Sequence, residues 1–184
     1  MNRLWALLAL VACQCLALPG WQQPGEGQAL TGRFEQQKQL PALSRPLQSQ
    51  GRFSYRDDAL TWDTETPFAS TLVMSREALI QRLPGLAETR LEVTDNPVAA
   101  AMAAMFSALF SGDRERLAKQ FQVTEEALEQ GWRLTLLPTD PQLTPLLDKV
   151  VLSGDQWPQE LEIAEKGQRL TRIRFSELRL EARP

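Results

Sequence analysis

The sequence predicts an α+β fold with an antiparallel sheet, on three observations. Apolar–polar alternation runs through residues 47–74 and returns over residues 132–182, and that alternation marks half-buried strands. Between the two lies Val98–Phe110, which carries no charge and repeats its large side chains at helical spacing. The order strands, helices, strands keeps the helices apart from the sheet, as α+β domains do.

The elements follow in chain order. "LTGRFEQQKQL" (30–40) reads as a strand or as a short helix running into one; its periodicity does not decide. Leu47, Ser49, Gly51, Phe53 and Tyr55 share one parity, which predicts a strand. Arg56-Asp57-Asp58 is a turn, and "ALTWDT" and "FASTLVMS" are two more strands on either side of Glu65-Thr66-Pro67, so the segment reads as a meander. "REALIQRL" (76–83) reads as a short helix stopped by Pro84-Gly85. The next helix is capped by Asp95 or Asn96, with Pro97 in its first position and Gly112 after its end. "DRERLAKQF" is another short helix, capped by Asp113. "GWRLTLLP", "LLDKVVLSG", "QELEIAEKG" and "RLTRIRFSELRLEA" are strands divided by Gly, Pro and Asp turns, with a phase change near Arg172 that predicts a bulge.

The chain has 184 residues, 43% apolar and 23% charged, which is enough for one globular domain. A net charge of −3 gives no electrostatic footprint for nucleic acid. The absence of histidine removes the commonest general base and metal ligand. The pairs Asp57-Asp58 and Glu125-Glu126 are sequence neighbours, which in a strand point to opposite faces and form no acid–base dyad. There is no glycine-rich phosphate loop, HExxH, Gly-x-Ser-x-Gly or CxxC. The reading is a protein that is no enzyme, with no catalytic residues, no cofactor and no metal.

Residues 1–17 read as a signal peptide: Arg3 precedes the apolar run Leu4–Ala12, and small residues stand before a cut after Ala17. Both cysteines, Cys13 and Cys15, fall inside it. A second reading takes Leu10-Val11-Ala12-Cys13 as a lipobox, with Cys13 lipidated and the chain anchored in the envelope. Either way the chain is exported, to the periplasm on the first reading. Residues 18–29 read as a flexible lead-in and residues 30–184 as a single domain.

As a helix, Val98–Phe110 is about 20 Å long, short of the ~30 Å hydrocarbon core of a bilayer. Val98, Met102, Met105, Phe106, Leu109 and Phe110 form one stripe, backed by alanines. The stripe is either plain core or the underside of a lid over an apolar hollow, where flexible, polarizable Met side chains adapt to irregular partners. Trp62 and Phe68 are likewise either cavity lining or packed core.

"FEQQKQL", "PLQSQGRFSYRDDALTWDTETPF" and "STLVMS", taken in order, resemble the LolA family of periplasmic lipoprotein carriers, and more closely its divergent LolA-like members. The matches are Phe34, Gln36 or Gln37, Lys38, Gly51, Phe53, Arg56, Leu60, Trp62 and Pro67. The resemblance implies an incomplete antiparallel β-barrel, a strongly curved sheet, covered by a helical lid that encloses an apolar cavity. It implies a monomeric carrier that takes acyl chains of a lipoprotein from an inner-membrane exporter to an outer-membrane acceptor. A lipid-anchored acceptor of the same fold and a non-catalytic envelope assembly factor are the alternatives. Where carriers have an Asp-Gly turn and a Trp/Tyr-rich strand, this chain has "REALIQRLPGLAETRLEV", so a glycolipid or polyene lipid stands beside a lipoprotein as cargo. The resemblance places a lid latch at Arg56; the residues alone read Arg56 as a turn cation pairing with Asp57 or Asp58.

Overall fold

The computed structural model describes residues 23–182. The expected signal peptide and both cysteines lie outside the described residues, as does the start of the lead-in.

Among the described residues, eleven antiparallel strands form one sheet. They are β1 Gln28–Gln39, β2 Leu47–Arg56, β3 Ala59–Thr66, β4 Ser70–Met74, β5 Ala78–Arg82, β6 Thr89–Glu92, β7 Phe121–Ala127, β8 Trp132–Pro138, β9 Leu147–Gly154, β10 Pro158–Glu165 and β11 Arg169–Ala182. The order is β6-β5-β4-β3-β2-β1-β11-β10-β9-β8-β7. Two meanders therefore join at their centre through β1 and β11, and the open edges β6 and β7 are not paired with each other. The helices α1 (Pro97–Ser111) and α2 (Arg114–Gln120) lie between β6 and β7 in the chain and bridge those edges. This is the incomplete barrel with a helical cover.

Local sequence explains the frame. Asp57 and Asp58 occupy a two-residue hairpin with φ of 48° and 61°, the doubly left-handed geometry that matches strand twist and that Asp tolerates. Gly51 lies where a Cβ would come within 1.9 Å of the Asp63 carbonyl oxygen, so β2 and β3 approach there only without a side chain. Asn96 Oδ1 accepts the Ala99 amide at 2.9 Å, Pro97 opens α1, and Gly112 ends it at φ 66°. Asp113 Oδ1 caps α2 through the Arg116 amide at 3.0 Å.

Three expectations need correction, and two strands went unread. "REALIQRL" holds strand β5: Leu79 and Ile80 pair with Met74 and Val73, and β-sheet pairing overrides a weak helix propensity. β1 starts at Gln28, inside the expected lead-in, and Ala29 there is fully buried. The bulge lies beyond Arg172: Thr31 pairs Arg179 while Arg33 pairs Ser176, and Glu177 takes φ 53°. The edge strands β6 and β7 carry no alternation strong enough to be read, because an edge buries little.

Candidate functional site

The concave face of the sheet meets α1 in two different ways. At one end the interior is filled by rings. Phe34 stacks on Trp62 with centroids 3.9 Å apart, and Phe53 packs against Phe110 at 5.1 Å and Phe175 at 5.3 Å. Beside this plug lies a hollow of about 280 Å³. Met102 and Phe106 of α1 form its roof. Trp62, Leu72, Met74 and Leu79 form one wall, and Leu147, Ile163 and Ile173 the other. Met102, Phe106, Trp62, Leu72 and Leu79 are only half-buried, so the hollow opens to solvent. Its polar groups gather on one side, where Lys38 pairs with Glu165 at 3.0 Å and Thr171 donates to Glu165 at 3.2 Å. An apolar pocket with a few polar groups at one side suits an amphiphile.

A polar clasp fastens the helices to the sheet. Asp58, in the β2–β3 turn, accepts on Oδ1 from Arg116 of α2 at 2.6 Å, Ser107 of α1 at 2.8 Å and Tyr55 at 3.0 Å. Arg76, between β4 and β5, donates to Oδ2. Burial alone would raise the Asp58 carboxyl. The hydrogen bonds from Arg116, Ser107 and Tyr55, with the Arg116 charge, outweigh it and hold the carboxyl down at about 2. The Tyr55 hydroxyl is pushed up, chiefly by burial. One side chain thus gathers two helices and two turns.

The expected site residues divide. Met102, Phe106 and Trp62 line the hollow, and Trp62 also belongs to the plug. Met105, Leu109 and Phe110 are buried in the core. Val98, in the first turn of α1, is 39% exposed, and Phe68 is 82% exposed; neither lines the hollow. Phe68 falls in a turn outside both strands, so strand parity never applied to it. The alanines do not face solvent as a group. Ala99, Ala101, Ala103 and Ala108 are buried, and the Ala101 carbonyl accepts from Gln120 of α2 at 3.0 Å.

Arg56 is a second correction. Phe53 and Tyr55 point inward, so Arg56 takes the opposite parity and faces Glu181 of β11 on the convex side. It makes no hydrogen bond to α1 or α2 among the described residues. The clasp carries the opposite polarity, with the acid on the sheet and Arg116 on the helices. Asp58 was visible in the sequence as a turn residue; its two helix-borne donors were not, since Ser107 is 49 positions away and Arg116 58.

The other acidic pair is spent on the surface: Glu125 pairs with Arg114 and Glu126 with Arg133. No group of three His, Cys, Asp or Glu among the described residues is arranged to hold a metal ion. No helix among them is long and apolar enough to cross a membrane.

Comparison with known proteins bears on this architecture. No curated protein matches the chain. Among solved structures, a LolA superfamily protein of Nitrosomonas europaea superposes with TM-score 0.50 at 11% identity, over 88% of this chain and 90% of that one. A putative outer membrane lipoprotein-sorting protein domain of Vibrio parahaemolyticus gives 0.44 at 14% identity, over 85% and 86%. At 11% identity the likeness to the Nitrosomonas europaea protein is one of fold alone. A family profile described as outer membrane lipoprotein carrier protein LolA-like matches residues 22–169, most of the chain. With the open eleven-stranded sheet and its two covering helices in place, this match shows that the chain belongs to the LolA-like family of outer membrane lipoprotein carrier proteins.

Proposed function

We propose that this protein is a periplasmic carrier that shields acyl chains in the hollow beneath α1 and moves a lipoprotein or another lipid from the inner to the outer membrane. The observation that carries the reading is the hollow itself: about 280 Å³ of largely apolar space, roofed by two flexible or aromatic side chains and open at one side. That volume falls just below the ~300–1,000 Å³ common for ligand pockets, so the present form takes part of a long chain. Each buried methylene contributes about 0.8 kcal/mol, so ten contribute about 8 kcal/mol. A carrier must release what it holds, and a roof that shifts between two positions allows a partner to tip the balance with modest differential affinity. The polar cluster at Lys38, Glu165 and Thr171 gives the head of an amphiphile a place beside its tail. An inner-membrane exporter as donor and an outer-membrane acceptor complete the scheme.

Native mass spectrometry of the gently purified chain, with and without added palmitate, tests this. Lipid adducts are expected, and Met102→Glu should weaken palmitate binding at least about tenfold by placing a charge in the roof. A chain that holds no lipid, or binding that Met102→Glu leaves untouched, removes the carrier reading.

A further inference from the structure

Large apolar side chains stand exposed on three separate turns: Leu43 and Leu47 at the β1–β2 connection, Phe68 at β3–β4, and Leu83 and Leu86 at β5–β6. Phe68 is 82% exposed and Leu86 67%. Their sequence separation hides a common address. In an antiparallel meander every second connection falls at the same end, and the pairs Lys38–Leu47, Thr64–Ser70 and Gln81–Thr89 place all three turns there. The Asp58 clasp lies at the opposite end, in the β2–β3 turn. The hollow reaches toward the apolar turns, since its lining includes Lys38 near the end of β1, Leu147 at the start of β9 and Glu165 at the end of β10. The β5–β6 turn stands clear of the body: no atom outside its immediate neighbours comes within 4 Å of a Cβ built on Gly85.

We infer that these three turns form a membrane-docking rim, which dips Phe68, Leu86 and the flanking leucines into the headgroup–acyl boundary of a phospholipid leaflet and sets the open side of the hollow toward that leaflet. The inference rests on the carrier reading for its purpose, though not for its geometry. Isolated hydrophobes on separate turns offer no shared concave surface to a folded protein, whereas a fluid leaflet accepts each one independently. Shallow insertion of this kind gains from apolar burial and from attraction between cations and anionic lipids. The charges agree: Arg82 at the rim is paired with Glu88, whereas Arg45, between Leu43 and Leu47, has no ion pair among the described residues and is available to a phosphate. Docking would deliver a tail from leaflet to hollow without crossing open water.

The test is flotation of the exported chain with vesicles of phosphatidylethanolamine and phosphatidylglycerol. Wild type should partition onto them, more weakly as salt rises. The double substitution Phe68→Asp with Leu86→Asp should weaken partition at least about tenfold. Leu91→Ser, which removes an exposed leucine of β6 away from the rim, should leave it unchanged. The rim is overturned if wild type ignores vesicles, if the double variant floats like wild type, or if Leu91→Ser costs as much. Native mass spectrometry of the same variant separates the two proposals. Retained palmitate with unchanged flotation defeats the rim alone, and rim-dependent flotation without any palmitate binding defeats the carrier alone.

Discussion

Replacing Asp58 by Asn tests whether one carboxylate fastens both helices. Its carboxyl is held at about 2 against an ordinary 3.8, and each unit is worth about 1.36 kcal/mol. The full shift would come to just over 2 kcal/mol; the side chain is 23% exposed to screening solvent, so about 1–2 kcal/mol is the better expectation. The substitution also strands Arg116, which raises the total cost to about 2 kcal/mol at neutral pH. For a chain of this size that lowers Tm by about 4–8 °C, followed by circular dichroism. The pH dependence has a definite sign. A carboxyl whose folded pKa is depressed stabilises fully above its unfolded value and loses that contribution as pH falls toward the folded one. The gap between wild type and Asp58→Asn should therefore be full above about pH 4 and close as pH falls from 3.8 to about 2. Combining Asp58→Asn with Arg116→Gln should give a coupling energy of about 1 kcal/mol or more. Equal melting at pH 7, a gap indifferent to acid, or strict additivity would refute the clasp.

Other outcomes follow from the same coordinates. Phe53→Ala removes a ring in contact with Trp62, Phe110 and Phe175 and should cost about 3–5 kcal/mol in urea titration. Gly51→Ala sets a methyl against the Asp63 carbonyl and should cost about 1–3 kcal/mol, with altered near-ultraviolet dichroism from the adjacent aromatic plug. Phe68→Ser should leave stability within about 0.5 kcal/mol, because an exposed turn ring supports nothing in the folded chain; a larger loss in the same titration would place Phe68 in the core after all.

The strands β2, β3 and β4 were legible because alternation and turn residues agree there, and α1 because Asn96, Pro97 and Gly112 mark both its ends. β5 was not: its five residues are too few for period to speak, and its partner β4 decides its state. The site was half legible. The spacing of Met102 and Phe106 put them on one face of a helix, and the parity of β3 exposed Trp62 to them. The opposite wall, from Leu147, Ile163 and Ile173, depends on β9–β11 returning beside β1, which local patterns do not encode. The misplaced latch has the same origin. A turn holds Arg56 and Asp58 two positions apart, and only the parity of β2 and the remote Ser107 and Arg116 decide which of them meets the helices.

The order of strands has a consequence for assembly. The first and last strands are neighbours at the middle of the sheet, so its seam closes only when residues about 130 to 150 apart in sequence meet. Each meander can zip from local turns, but their union is a long-range event, and such closures slow folding. Trimming the final strand would therefore not shave an edge. It would part the sheet down its centre, leaving two short curls with exposed margins, while a cut between α1 and α2 would leave the ladder of strands whole.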